Sequence, residues 1–185
     1  MSFTIDGTNG LTFNDATTQA STATNASNIS SGTLGKARLP TGSVLQVVSS
    51  GTQTQVSSTS GSTWVDTGIS LAITPTSATS TILVLISVNG IRKQAVNNGG
   101  TAVSLQLLRG ASTIANIGND NASTDTTANG GYNTTAASTC YLDSPATTSS
   151  TTYKVQFNNS RNVNDTIYTQ YNGARSTIIL MEISA

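Results

Sequence analysis

The first stretch with residues suited to chemistry is Gly32-Thr33-Leu34-Gly35-Lys36, which contains the residue types of a phosphate-binding loop. Such a loop needs two glycines separated by four residues, followed by Lys and then Ser or Thr, so that backbone amides enclose the phosphate and a hydroxyl meets magnesium. Here the glycines are three positions apart and Lys36 precedes Ala37. The spacing therefore excludes a phosphate-binding loop.

Catalytic groups are scarce in this chain. It contains no histidine, so a Ser-His-Asp or Cys-His site cannot form within one chain, and the usual transition-metal ligand is missing. Paired carboxylates can hydrolyse a glycosidic bond. The carboxylates considered for that role are Asp66, Asp120, Asp125, Asp143, Asp165 and Glu182. Most lie in predicted turns, where capping roles are ordinary, so the sequence predicts a protein that is not an enzyme.

Two further features favour structural roles. Asn119, Asp120, Asn121 and Asp125 offer oxygen ligands, but they lack the alternate spacing and the bidentate Glu of an EF-hand. We expect a solvated loop there, with no metal and no cofactor. The single cysteine, Cys140, lies in a strand-like segment, which predicts a buried, inert thiol.

The aromatic side chains are the remaining candidates for ligand contact. Trp64 precedes Val65 in a predicted strand and is expected in the core. Tyr132 ends a long polar stretch, and Tyr168 and Tyr171 fall on opposite faces of a predicted late strand. These three rings stay open as ligand contacts.

Composition limits the classes of partner. Of 185 residues only 9% are charged, the eight basic and eight acidic side chains cancel, and the one basic pair is Arg92-Lys93. This pattern predicts no binding to nucleic acid or to an anionic membrane. The longest apolar run, 82–86, is too short for a membrane span, and the first residues lack the pattern of a signal peptide. We expect synthesis in the cytoplasm without secretion.

Residues 1–41 read as an extended arm. Ordering about 40 residues costs on the order of 40–80 kcal/mol, whereas burying the few large apolar side chains returns only about 10–20 kcal/mol. The arm therefore needs partner chains, which predicts attachment and oligomerisation through its apolar residues. Those assigned to this role are Phe3, Ile5, Leu11, Phe13, Leu34 and Leu39.

Residues 42–185 read as an all-β domain. Short runs of period two are separated by Ser, Thr and Gly turns, as in 44–48, 69–73, 103–107 and 153–157. The segments 81–88 and 177–184 are apolar on both faces, as in strands covered on two sides. With eight to ten strands and no helical pattern, the prediction is a β-sandwich of jelly-roll type.

Turn and loop signals complete this domain. Segments 73–81 and 143–151 share a proline two residues after a strand, followed by Ser/Thr residues, and read as two hairpins. Their likeness marks either equivalent corners of two sheets or turn chemistry alone. Segments 116–132 and 93–100 are polar and are predicted as surface loops.

Several phrases of the chain resemble those of bacteriophage structural proteins. Residues 5–19, IDGTNGLTFNDATTQ, resemble short repeats in tail fibres of tailed phages, although Ala16 stands where a glycine is usual. Residues 28–40, NISSGTLGKARLP, are similar to the linker that follows such repeats. The phrases VLQVV (44–48), STWVDTG (62–68), LLRG (107–110), YLDSPA (141–146) and STIILMEI (176–183) are similar to a distal domain of marine and cyanobacterial phage proteins.

The resemblance implies a homotrimer located in the virion, with an arm attached to other tail or capsid proteins and a β-sandwich head facing outward. Its function would be that of a short tail fibre or appendage that binds a host-surface glycan or protein. Two alternatives stay open: a capsid decoration or head-fibre protein, and a polysaccharide depolymerase spike. The polar loops supply the candidate receptor contacts, which are Asn119, Asp120, Asn121, Asp125, Tyr132, Arg92 and Lys93.

Overall fold

The chain divides into two units, Met1–Leu39 and Pro40–Ala185. The structure, a computed structural model, describes residues 4–6, 10–12, 18–19, 35, 38–59, 61, 63–94, 101–124, 132–161 and 165–185.

The first unit contains a small antiparallel sheet. Its strands are β1 (Thr4–Asp6), β2 (Gly10–Thr12) and β3 (Thr18–Gln19), in the order β1-β2-β3. Of the residues assigned to attachment, Ile5 and Leu11 are register partners between β1 and β2, and Leu39 is half-buried. Phe3, Phe13 and Leu34 lie outside the described residues. The segment predicted as an extended arm thus contains strands that pair with one another.

The second unit is a β-sandwich of two antiparallel sheets, as the alternating pattern predicts. Its strands are β4 (Val44–Thr52), β5 (Val56–Ser58), β6 (Val65–Ile73), β7 (Thr81–Gln94), β8 (Thr101–Arg109), β9 (Ser112–Thr124), β10 (Tyr132–Asp143), β11 (Thr151–Asn159), β12 (Thr166–Thr169) and β13 (Ser176–Ile183). The described residues include no α-helix.

Strand β7 is the centre of the six-stranded sheet. Along one edge it pairs with β10 over nearly its whole length. Along the other edge it pairs first with β13 and then, at its C-terminal end, with β12. Strands β4 and β5 lie outside β13 and β12, respectively. The other sheet has the order β6-β11-β8-β9.

The first and last strands of the sandwich are neighbours. Strand β4 pairs with β13, so that Val44 lies opposite Ile183. Just outside this pair, the amide of Gly42 donates to the carbonyl of Ser184 at 3.0 Å, and the Ser184 hydroxyl donates to the carbonyl of Pro40 at 3.0 Å. Pro40 is therefore tied to the C-terminal end of the domain.

The core lies between the two sheets and follows the alternation of the sequence. Each fully buried aliphatic or aromatic side chain contributes about 1.5–3 kcal/mol relative to an exposed one. The side chains with no exposed surface that define this core include Ile82, Val84, Val88, Leu105, Leu107, Tyr153, Val155, Phe157, Ile178 and Leu180. Trp64, predicted in the core, is half-buried.

The two proline segments are corners between the sheets, and the hairpin interpretation is wrong. The segment containing Pro75 leads from β6 in one sheet to β7 in the other, and the segment containing Pro145 leads from β10 to β11 in the same manner. A strand that ends at such a corner leaves its sheet, so the residue after it cannot continue the ladder. Proline, which has no backbone donor, fits that position.

Three other predictions need correction. Segment 116–132 was predicted as a loop, but residues 116–124 belong to β9, and 125–131 lie outside the described residues. Lys93 and Gln94, predicted in a loop, belong to β7; residues 95–100 are also outside the described part. Cys140 is exposed and not buried, because β10 turns it to the outer face of the sheet.

Among the described residues, no helix has the length and apolarity to cross a membrane.

Candidate functional site

A β-bulge in the central strand decides which side chains reach the outer surface. Up to Val88 the even-numbered residues of β7 are buried, but after the bulge the odd-numbered Ile91 and Lys93 are buried instead. The register against β10 shifts at this point, and Gly90 adopts a positive φ of 62°. A bulge of this kind adds one residue and reverses the alternation of the faces. Arg92 and Gln94 therefore project to the outer face.

Hydrogen bonds join the turn that links β12 to β13 to this bulge. The amide of Gln170 donates to the carbonyl of Asn89 at 3.0 Å, and the Asn89 side-chain amide donates to the carbonyl of Arg175 at 2.7 Å. The hydroxyl of Ser176 accepts hydrogen bonds from the backbone N–H of Asn89 at 2.9 Å and from the side-chain amide of Gln170 at 2.8 Å. These bonds fix the short 3-10 turn Tyr171–Gly173 beside the bulge.

Only glycine fits where the turn meets the bulge. A Cβ atom on Gly90 would lie 2.5 Å from the amide nitrogen of Tyr171 and 2.8 Å from the Cβ of Ala174. Both distances are below those of real Cβ contacts, and the positive φ also disfavours other residues. The close approach of Gly90 therefore sets the position of Tyr171.

Arg92 lies between two tyrosine rings. Its guanidinium carbon is 3.9 Å from the centre of the Tyr171 ring and 4.2 Å from the centre of the Tyr132 ring, within the range of cation–π attraction. The Tyr168 ring meets Tyr171 edge to face, with centroids 5.4 Å apart, and its hydroxyl donates to Oε1 of Gln94 at 2.8 Å. We call Arg92, Tyr132, Tyr168 and Tyr171 the tyrosine–arginine cluster.

The predicted receptor contacts separate into two groups. Arg92 and Tyr132 meet in the tyrosine–arginine cluster, and the Tyr132 residue is 63% exposed. Lys93, the neighbour of Arg92, has no exposed surface because the bulge turns it inward. It does not lie on the surface where the loop prediction placed it.

Three of the remaining predicted contacts, Asn119, Asp120 and Asn121, lie in the four-stranded sheet. Asp120 accepts hydrogen bonds from Arg161 at 2.7 Å and Ser160 at 2.8 Å, and the Asn121 side chain donates to the carbonyl of Val103 at 3.1 Å. Asn119 is exposed on the same strand, β9. Asp125 lies outside the described residues. Asn121 satisfies one backbone carbonyl where the β8–β9 pairing is irregular, which is a structural role.

Sequence reasoning missed the mutual packing of Tyr168 and Tyr171. It placed them on opposite faces of one strand, but β12 ends at Thr169 and Tyr171 lies in the following turn. The dipeptide Asn89-Gly90 inside an apolar strand was the available signal, since an isolated glycine in a strand often marks a bulge or a close backbone approach.

The described carboxylates with buried side chains are held by hydrogen bonds. Glu182 accepts from the amide and hydroxyl of Thr76 and from Nε2 of Gln46, each at 2.7 Å. Burial alone raises the pKa of Glu182, but these hydrogen bonds outweigh it and lower the pKa to about 2. Asp165 accepts a short hydrogen bond from the hydroxyl of Thr101.

Asp143 lies at the other corner, in a three-residue network. Nη1 of Arg109 lies 2.8 and 2.9 Å from its two oxygens, and the hydroxyl of Tyr153 donates to it at 2.6 Å. The pKa of Tyr153 is raised, mainly because its hydroxyl is buried and secondly because it donates a hydrogen bond to the Asp143 carboxylate. Each of the two proline corners thus has a buried carboxylate that binds donors from separate parts of the chain.

On the surface, Asp66 binds Lys154 at 3.0 Å and Gln156 at 2.7 Å. Burial tends to raise the pKa of Asp66, yet these partners lower it. The pKa of Asp120 is lowered by Arg161 and Ser160. Within the described segments, no group of three or more Cys, Asp or Glu side chains is close enough together to hold a metal ion.

Comparison with known proteins gives little further information. No protein family and no curated protein matches the chain. Among solved structures, a chain from a structure of infectious bursal disease virus, Gx strain, is similar over 77% of this chain and 38% of its own length, with 12% identity and a TM-score of 0.34. A likeness this remote carries no argument about function.

Proposed function

We propose that this protein is a virion structural protein, a short phage tail fibre or appendage whose β-sandwich faces outward and binds the host surface. The observation that carries the binding role is the tyrosine–arginine cluster, where a glycine bulge and a fastened turn hold three rings and a cation on the outer face of a sheet. The residue phrases shared with phage fibre proteins support the virion role.

The ligand that suits this cluster is a saccharide with a carboxylate group. An exposed tyrosine ring such as that of Tyr132 offers an apolar face for the C–H side of a sugar and a hydroxyl at its edge. Arg109, Lys154 and Arg161 each pair with an aspartate, whereas Arg92 has no carboxylate partner in the described part of the chain. A guanidinium of this kind favours an anionic partner, which it can bind with two parallel hydrogen bonds.

In this proposal the first unit provides attachment. Residues 1–41, including Ile5 and Leu11 on neighbouring strands, contact other tail or capsid proteins and support a homotrimer. A second location is the capsid, as a decoration or head-fibre protein. Virion images with a label on the C-terminus distinguish the two, since the label would lie on the tail in one case and on the shell in the other.

The binding role is tested with purified protein and bacterial surface polysaccharides, acidic and neutral. We expect binding to an acidic polysaccharide, weakened at least about tenfold by Arg92→Gln, which corresponds to about 1.4 kcal/mol. The matched control is Arg161→Gln, which removes an equal charge just after β11, away from the cluster, and should leave binding unchanged. Equal binding by Arg92→Gln and the unchanged protein would remove the cluster from the proposal.

A further inference from the structure

A second feature of the outer face is a row of apolar side chains at the opposite end of the six-stranded sheet. Met181 lies opposite Val47 on one side and Leu83 on the other, and Leu83 lies opposite Leu142. The row crosses four adjacent strands, β4, β13, β7 and β10. Together with Leu85 and Ile179, which form the next row, these side chains are called the apolar patch.

The patch faces away from the core. Its neighbours along the strands, Ile82, Val84 and Leu180, have no exposed surface and point between the sheets. Val47 and Leu142 are 52% and 59% exposed, an unusual exposure for large apolar side chains on one continuous face. A strand apolar on both sides is typically covered on both sides.

The outward positions that directly flank the patch are uncharged, and the guanidinium of Arg175 lies one outward position beyond them, beside Gly51. A shallow depression beside it is lined by small polar groups, Ser87, Ser138 and Thr177, together with Cys140. The outward positions next to the apolar rows are likewise neutral, as at Ser49, which pairs with Ile179. Depletion of charge at the centre is the compositional mark of a protein interface.

We propose that the apolar patch packs against a second copy of this chain. Two such patches meet without burying a charge, because Arg175 lies beyond the apolar rows. Strand β13 has eight residues, so the face is about 26 Å long and four strands, or about 19 Å, wide. This whole outer face, which includes the polar rim around the two apolar rows, offers about 500 Å² per copy, so two copies bury about 1,000 Å², the lower limit for a specific interface.

This interface leaves the tyrosine–arginine cluster open. Leu83 and Arg92 are about 30 Å apart along β7, at a rise of about 3.3 Å per residue. The inference does not rest on the proposed function, because packing between copies depends on the patch alone. Loss of saccharide binding and loss of packing are therefore separate results.

Cys140, the single cysteine of the chain, is the probe for this interface, since it is exposed and lies opposite Leu85 beside the patch. The full-length protein is treated with a maleimide reagent at concentrations from about 0.1 to 100 μM. The rate of thiol labelling should fall at least about tenfold as the concentration rises. Light scattering at the highest concentration should give the mass of more than one chain.

Two variants and one control complete the experiment. Val47→Glu and Leu142→Glu place a charge in the patch at positions already half-exposed, so the monomer tolerates them, and circular dichroism verifies the fold. Both should abolish the concentration-dependent protection of Cys140. Ala72→Glu, on the exposed side of β6 in the other sheet, should leave it unchanged.

Any other pattern overturns the proposal. Labelling that stays fast at every concentration means that nothing covers the patch. Protection that does not change with concentration means that the chain covers its own patch. Protection that survives both Glu variants means that the copies meet through another surface. If Val47→Glu does not fold, Leu142→Glu at the sheet edge decides alone.

Discussion

The guanidinium carbon of Arg92 lies 3.9 Å from the centre of the Tyr171 ring, although the two residues are far apart in the sequence. One belongs to the central strand and the other to the turn between two strands on its edge. The contact exists because the bulge turns Arg92 outward and the turn folds back over Gly90. The cluster therefore depends on backbone geometry as much as on the side chains within it.

Gly90→Ala should disrupt the tyrosine–arginine cluster by displacing the backbone of the turn that holds Tyr171. The new methyl group would lie 2.5 Å from the amide nitrogen of Tyr171, so the turn must move, and the positive φ adds strain. We expect the free energy of unfolding to fall by about 2 kcal/mol or more, and the near-ultraviolet circular dichroism of the tyrosines to change. Urea unfolding and circular dichroism measure the two effects.

The control for this substitution is Gly110→Ala. Gly110 has nearly the same positive φ, 59°, but a Cβ there meets nothing within 4 Å. Gly110→Ala should lower the free energy of unfolding only through conformational strain, by about 1 kcal/mol, and should leave the tyrosine circular dichroism unchanged. Equal effects of the two substitutions would show that the contact between the turn and the bulge is unimportant.

Glu182→Gln should destabilise the domain in a manner that depends on pH. The side-chain amide cannot accept all the hydrogen bonds that Thr76 and Gln46 donate to the carboxylate. We expect a loss of about 1–3 kcal/mol at neutral pH. Because the folded pKa of about 2 lies below the ordinary value of 4.5, the contribution of the carboxylate is complete above about pH 5 and is lost as the pH falls towards 2.

This dependence is measured as the difference in unfolding free energy between the unchanged protein and Glu182→Gln from pH 7 to pH 2. Asp66→Asn is the control, because that carboxylate also has a lowered pKa but its side chain is largely exposed, and solvent screens its partners. A difference for Glu182 that stays constant with pH would contradict the assignment.

The corner network of Arg109, Asp143 and Tyr153 should behave as a unit. Asp143→Ala leaves the buried hydroxyl of Tyr153 without its acceptor, which we expect to cost about 2–4 kcal/mol. Tyr153→Phe removes only the hydroxyl and should cost about 1 kcal/mol. A double-mutant cycle by urea unfolding should give a coupling of about 1–2 kcal/mol. Additive effects would mean that the hydrogen bond contributes nothing.

A chain that begins at Pro40 should fold as a β domain. The core side chains of the sandwich all lie in this unit, and the Pro40 carbonyl accepts hydrogen bonds from Ser43 and Ser184. We expect a cooperative thermal transition close to that of the full chain, with loss of attachment to the virion. Aggregation or an unfolded spectrum would place the boundary elsewhere.

The strands of the sandwich were accessible from the sequence because alternation with period two reports directly which face is buried. Tyr153, Val155 and Phe157 are an example, since all three are buried as their spacing predicts. The same reasoning failed in β7 after Val88, where one additional residue exchanges the faces. The period-two pattern of the sequence does not reveal an inserted residue. Only the glycine that permits the bulge, Gly90, indicates it.

Polarity was a poor guide to loops in this chain. Residues 116–124 carry many polar side chains and yet form part of an edge strand, because such a strand needs backbone partners on one side only, and Ile117 and Ala122 suffice to contact the core. The packing of Tyr168 against Tyr171 was equally inaccessible, since it depends on where β12 ends. Both features are set by the pairing of distant strands.

The pairing of β4 with β13 has a consequence for biosynthesis. Val44 cannot find its register partner Ile183 until the last residues of the domain have left the ribosome. Because β4 pairs only with β13, it stays without a strand partner until the end of the domain has been synthesised. Such non-local closure makes folding slow, and a ribosome that stops before residue 176 releases a chain that cannot complete its sheet.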